Sequence, residues 1–435
     1  MSKNLEVVHP YAAGVDIGSK TFHVDAGEEA IKIFPTYTEG CHALRDYLKA
    51  QKITTVAMES TGVFWVVLYA VLEEAGIEVY LVNGRDVKNV PGRKSDVKDC
   101  QWIRQLHSYG LLKKSFIPGE NIRKLRSYMR LRQDHIRSQV SQTQLMQKAL
   151  TQMNIRLTEA ISDIMGVSGS KIIAAILDGE RNPEVLVEFC HGAILKTKRD
   201  LVIKSLQGEY RDEHLFALKQ AHQTWHYFEV LIAECDKEIE KLLHQITAEK
   251  ETVTATGKRK ELRYNAPRIK NLHEPLLKMT GGKDPTGIAG ISDYSFLQIM
   301  SEVGVDMNAW KTEKHFTSWL KLAPMSNSSG NFSRRVTVKR TNKASLLFRN
   351  VAQSILASRH LALGSFGRRI RAKRGSAVAI KAIARKIACY YYRVMTKGEA
   401  FVDKGIALYE EQQKEQRKKY LERMALKMQM QLVPV

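Results

Sequence analysis

Residues 11–27, YAAGVDIGSKTFHVDAG, predict two short strands joined by a turn at Gly18-Ser19-Lys20, with Asp16 within or at the end of the first. CHALRDYLKAQ predicts a helix, and the β-branched run ITTVAMES a buried strand ending in Glu59. TGVFWVVLYAVLEEAG has helical length and a natural stop at Gly76, IEVYLVN reads as another buried strand, and a helix is expected from about Ser95 toward Tyr109. Strands alternating with helices argue for an α/β domain whose sheet contains parallel strands.

Beyond about Ile122 the strand signal ends. Leu125, Met129, Ile136 and Val140 open a helical pattern that runs to about Asn154, with Arg and Gln on its other face. A shorter segment follows, with turns at GVSGSK and DGERNPEV. Trp225, Phe228, Ile232, Cys235, Ile239, Leu242 and Ile246 then recur at alternating spacings of three and four. That heptad spacing predicts a coiled-coil arm, packed on the 125–154 helix or on a partner chain, with a plain helical bundle layer as the alternative. TVTATGKRKELRYNAPRIK reads as a basic linker. The expected division is an α/β domain over 8–122, a helical coiled-coil region over 123–250, the linker over 251–275, a mainly helical basic domain over 276–400 and a charged terminal helix over 401–435.

With 435 residues and 44% hydrophobic content, the chain can bury a core in each of two or three domains. A formal charge of +22 points first to nucleic acid as partner and second to an anionic membrane surface. The charge is concentrated: between Glu313 and Glu399 there is no acid and there are nineteen Lys or Arg, among them Arg334, Arg335, Lys339, Arg340, Arg368, Arg369, Arg371, Lys373 and Arg374. A solvated face would mix both signs, so this stretch reads as a surface for phosphates. No run of eighteen apolar residues and no signal-peptide core is present, which predicts a soluble cytoplasmic protein without a membrane partner. Cys41, Cys100, Cys190, Cys235 and Cys389 are scattered and never spaced C-x-x-C, so neither zinc nor a disulfide framework is indicated.

In VPGRKSDVKDCQWI, Asp96 and Asp99 share a helix face inside a cluster of Arg93, Lys94 and Lys98. Three readings fit these residues: a mixed-charge helix start capped by Ser95, an ion-pair network, or half of a divalent-metal site. Asp16 and Glu59, each in or closing a strand, can converge with them at one sheet edge, the arrangement that two divalent ions need for phosphodiester chemistry.

GVDIGSK, AMESTG and VNGRDVKNVPGRKSDVKDCQWI resemble the successive blocks of the DEDD insertion-sequence transposases, relatives of the Piv DNA invertase. The resemblance implies a RuvC-like (RNase H-like) catalytic domain in which Asp16, Glu59, Asp96 and Asp99 are the four acids that hold Mg²⁺, as two ions. It extends through GVSGSKIIAAILDGERNPEVL and IAGISDYSFLQIMSEVG, the latter similar to the helix-turn-helix-like opening of the family's C-terminal domain, although its usual I-P-G-I-G here reads Ile288-Ala289-Gly290-Ile291-Ser292. HFTSWLKLAPMSNSSGNFSRR is similar to the segment where the family carries a nucleophilic serine before a glycine, which falls on Ser329, with Ser328 its neighbouring candidate. The expected K-G-N is replaced by Thr341-Asn342 after Lys339-Arg340. The implied chemistry is attack of Ser329 on a DNA phosphodiester, with a covalent phosphoserine link and a released 3′ hydroxyl. The implied partners are donor and target DNA, a noncoding bridge RNA that chooses target by pairing, and further copies of the chain in a dimer or tetramer, with serine and acids meeting between protomers at the bacterial nucleoid.

Two other enzyme classes compete. DIGSK also resembles the phosphate-binding turn of actin-like sugar kinases, which leaves Asp96, Asp99 and the basic stretch without a role. A RuvC-like nuclease or junction resolvase would use the acids without a covalent step, leaving Ser329 as a turn residue. A binding-only relative of the transposases is the third competitor.

Overall fold

The turn at Gly18-Ser19-Lys20 joins β1 (Ala12–Ile17) to β2 (Thr21–Asp25) as an antiparallel pair in which Asp16 stands opposite His23. The computed structural model describes the chain except residues 1–5, 28–29, 61, 85–95, 252–264, 325, 330–331, 336–341, 399–405 and 431–435. It divides into two compact units, Met1–Ile117 and Pro118–Val435.

In the first unit β3 (Lys32–Pro35) pairs antiparallel with β2, and α1 (Thr38–Ala50) leads to β4 (Thr55–Glu59), which runs parallel to β1. After α2 (Trp65–Glu74) comes β5 (Glu78–Val82), parallel to β4, and then α3 (Asp96–Ser108). The sheet order is β3-β2-β1-β4-β5. Side chains alternate across a strand, and the two faces are covered by different helices. Val15, Ile17, Phe22, Val24, Val56, Met58, Val79 and Leu81 pack with Leu44 and Leu48 of α1 and Leu68 and Leu72 of α2. Ala57 and Val82 face the other way, against Ile103 and Leu106 of α3. Trp65 and Trp102 pack against these two cores.

Under α3 lies a polar contact with a pH signature. His107 is 1% exposed, its Nε2 is 2.9 Å from Thr55 Oγ1, and its ring stacks on His9 at 4.7 Å. Burial, reinforced by the neighbouring His9, pushes its pKa down from 6.5 to about 4. The folded state thus prefers the neutral ring, so its contribution is complete above pH 6.5 and is lost as pH falls toward 4. At about 1.4 kcal/mol per unit this amounts to roughly 3 kcal/mol. Thermal denaturation of His107→Gln should lose most of this unit's destabilisation between pH 6.5 and 4, and an unchanged pH dependence would refute it.

The second unit begins with two long helices, α4 (Glu120–Gln152) and α9 (Asp212–Thr247). They run antiparallel: Gln139 meets Trp225, His135 meets Phe228 and Arg132 meets Asp236. The apolar stripe from Trp225 to Ile246 lies on the covered side as expected, whereas Val140, placed in the core by its spacing, is 48% exposed. The segment between them holds α5 (Leu157–Ala160), α6 (Val167–Leu177), α7 (Pro183–Val187) and α8 (Gly192–Leu206), with the DGERNPEV turn between α6 and α7, whereas GVSGSK, read as a turn, opens α6. Ile172, Ile176, Leu186 and Leu206 join Met146 and Leu150 of α4 and Leu218 of α9 in one core.

The chain continues through α10 (His273–Thr280), a 3₁₀ turn at Pro285–Gly287, α11 (Asp293–Val303) and α12 (Glu313–Trp319). A hairpin of β6 (Ser326–Ser329) and β7 (Phe332–Arg335) interrupts a region expected to be helical. α13 (Lys343–Ala357), α14 (Ala362–Arg374), α15 (Ser376–Lys397) and α16 (Ile406–Lys427) complete it. Phe296, Phe316, Phe348 and Tyr391 are fully buried together, so Tyr391 of the Tyr390-Tyr391-Tyr392 run is a core residue. Arg126 donates to the backbone carbonyls of Ser301 and Glu302, and Arg130 grips the Glu302 carboxylate at 2.9 and 2.8 Å, which satisfies the end of α11. All five cysteines are free.

Candidate active site

Strand alternation decides where the first two acids point. Val15 and Ile17 enter the α1–α2 core, which turns Asp16 to the α3 face of β1. Met58 enters the same core and Ala57 the opposite one, which turns Glu59 to that same α3 face of β4. The parallel register pairs Val15 with Met58, so Asp16 and Glu59 occupy the next positions of adjacent strands, about 5 Å apart by strand spacing. Both are half-buried.

Two glycines make room at this face. A Cβ on Gly14 would overlap the Cys100 carbonyl and the Arg104 amide, so α3 lies directly on β1 two residues before Asp16. A Cβ on Gly84 would overlap Oε1 and the carboxyl carbon of Glu59, so the space past the end of β5 belongs to that carboxylate. Asp96 opens α3 and Asp99 lies half-buried one turn on. Next to Asp99, the buried Cys100 thiol is pushed up to about 12, first by burial and then by the charges of Asp25 and Asp16. The Cys100 carbonyl lies against Gly14 of β1, which places this turn of the helix on the Asp16 side of the sheet.

Asp16, Glu59 and the Asp99 turn therefore share one face. Among the described residues, no three His, Cys, Asp or Glu side chains form a group that could hold a metal ion. The Asp96 side chain, Arg93 and Lys94 lie outside what is described. Sequence reading missed three neighbours, His23, Asp25 and Arg104. His23, across from Asp16, has a buried Nδ1 without a hydrogen-bond partner. Asp25, 3% exposed, accepts from Arg104 Nε at 2.8 Å and from the Gly27 amide at 2.8 Å. The available signal was the period of β2, which puts His23 and Asp25 on the α3 side.

Ser329 ends β6, paired with Phe332, and Ser328 pairs with Ser333. The side chains of both serines lie outside the described residues. Arg334 and Arg335 lie on β7, with side chains outside the described set, as are Lys339 and Arg340 altogether. Arg369, Arg371, Lys373 and Arg374 are exposed along the end of α14, but Arg368 is half-buried and donates to the Ser358 carbonyl. A cation missed from sequence, Lys386, sits over the Phe366 ring of α14 at 4.3 Å. No described helix is long and apolar enough to cross a membrane.

Two family matches fall on these regions. The DEDD transposase family of the IS110 type matches residues 13–155, a span that includes all four acids. The family described as Transposase IS116/IS110/IS902 matches residues 286–360, which include Ser328 and Ser329. No curated protein matches the chain.

Proposed function

The chain belongs to the IS110-type DEDD transposases and is a DNA transposase, and from that premise we propose that it cuts and rejoins DNA by Mg²⁺-assisted attack of a serine, on a RuvC-like (RNase H-like) catalytic domain. The observation that carries the reading is the placement of Asp16 and Glu59 on one face of neighbouring strands, with the Asp99-bearing helix packed over that face. Three antiparallel strands followed by two parallel ones, in the order β3-β2-β1-β4-β5, support the fold assignment.

Carboxylate oxygens suit a hard cation such as Mg²⁺, and the bare Cα of Gly84 leaves Glu59 the room to act as a ligand. This donor chemistry supports Mg²⁺, which Asp16, Glu59, Asp96 and Asp99 would hold, as two ions. When bound, Mg²⁺ supplies positive charge at the scissile phosphate. Ser329 Oγ attacks phosphorus and gives up its proton as the O–P bond forms. The bond from phosphorus to the 3′ oxygen breaks, and that oxygen takes a proton and leaves as a hydroxyl. The phosphoserine ester retains a transferable phosphoryl group, so rejoining by a 3′ hydroxyl needs no ATP. Arg369, Arg371, Lys373 and Arg374, within the acid-free stretch, supply phosphate contacts, joined by Arg93, Lys94, Arg334, Arg335, Lys339 and Arg340. A bridge RNA selects the target, the α4–α9 pair forms a coiled-coil arm that joins copies of the chain, and the protein works in the cytoplasm on the nucleoid.

A suicide DNA substrate tests the covalent step. Wild type should become linked to DNA in Mg²⁺ and not in EDTA, and Ser329→Ala should neither link nor cleave. Linkage in Ser329→Ala but not in Ser328→Ala would move the nucleophile to Ser328. Cleavage by Ser329→Ala without linkage would replace the reading with a metal-dependent nuclease. Sequencing RNA that purifies with the protein tests the guide.

A further inference from the structure

We infer that the Asp25–Arg104 ion pair is a positioning device that seats α3, and with it Asp99, over Asp16. This rests on the metal reading above and adds two residues to it. α3 meets this part of the sheet by close backbone approach rather than by apolar side chains: Gly14 offers no side chain, and the α3-facing positions of β1 and β2 that follow are Asp16, His23 and Asp25. The apolar contacts of α3, through Ile103 and Leu106, lie instead with Ala57 and Val82 of β4 and β5. Apolar packing is non-directional, and the buried His107–Thr55 hydrogen bond fixes the far end of α3 on β4, two turns beyond Asp99.

Arg104 supplies a directional constraint nearer Asp99. Its Nε donates to Asp25 Oδ2 at 2.8 Å, from the turn of the helix that follows Asp99 and Cys100. The acceptor is rigid: Asp25 is 4% exposed at its side chain, ends β2 and is held at its other oxygen by the Gly27 amide. Arg104 itself is 36% exposed at its side chain, so the pair is worth little as a stability element. Its value is geometric, because the same helix turn touches the bare Cα of Gly14, and a slide of α3 moves Asp99 relative to Asp16 directly. Residues that orient metal ligands without touching the metal typically set affinity by about 10- to 100-fold.

Mn²⁺, as a calorimetric probe of the full-length protein, separates positioning from folding. Wild type should bind Mn²⁺ with an affinity that Asp16→Asn removes, and Arg104→Met should bind about tenfold more weakly at a temperature where it is fully folded. Arg104→Lys, which keeps a point charge for Asp25, should return to within about threefold of wild type. An Arg104→Met protein that folds and binds Mn²⁺ like wild type overturns the inference, as does an Arg104→Lys protein as weak as Arg104→Met. If Arg104→Met does not fold, Asp25→Asn takes its place under the same criteria. Wild type that binds no Mn²⁺ at Asp16 overturns the metal reading itself, and the inference with it, and so distinguishes the two failures.

Discussion

Asp16→Asn is expected to lower DNA strand cleavage by about 10³-fold or more while the protein stays folded and still binds DNA. The size follows from what is lost: a carboxylate charge at the place where the scissile phosphate gathers negative charge, in a site where a single preorganised electrostatic contact is worth about 10²–10³ in rate. The fold should tolerate the change because the side chains that build the core of β1 are Val15 and Ile17 on the opposite face, and the amide is isosteric with the acid. Cleavage of a labelled substrate across a Mg²⁺ series, beside a thermal melt and a DNA-binding titration, gives the three numbers. Activity within tenfold of wild type would end the assignment of this face as the metal site.

The largest stability effect is expected far from the chemistry. Arg132 is 1% exposed and Asp236 is 4% exposed, and their contact, 2.5 Å from Nε to Oδ1, joins α4 to α9. The same guanidinium donates to the Asn265 carbonyl at 2.8 Å and to the Tyr294 hydroxyl at 3.1 Å, and the other Asp236 oxygen accepts from the Arg268 amide at 3.0 Å. Asp236→Ala leaves a buried cation and a backbone N–H without their acceptor, a loss of about 3–5 kcal/mol. Replacing both partners, as Arg132→Met with Asp236→Leu, should recover a good part of that loss because no charge remains buried. Urea unfolding of the single and double variants measures both. A single variant within about 1 kcal/mol of wild type would show the pair to be dispensable.

How much of this could be read from the chain depends on which side chains are apolar. β1, β4 and β5 carry buried β-branched and aliphatic residues, and the acids that follow them fall on the face those residues leave free. β3 escaped notice because it is a mostly exposed edge strand. The β6–β7 hairpin, SNSS and FSRR, has almost no apolar pattern either, and its signal was the Gly330-Asn331 pair between two extended stretches. Arg132 was counted with the polar face of its helix. Periodicity cannot foresee that a cation turns inward to an acid 104 residues away. Arg104 and Asp25 were hidden for the same reason: a salt bridge across 79 residues leaves no local mark.

The antiparallel run of α4 and α9 makes the small cluster of α5 to α8 a removable tip. The polypeptide leaves along one rod and comes back along the other, so paired deletions of one heptad from each would draw the tip in by about 10 Å while leaving the base untouched. The length of this hairpin thus sets how far the tip stands from the base.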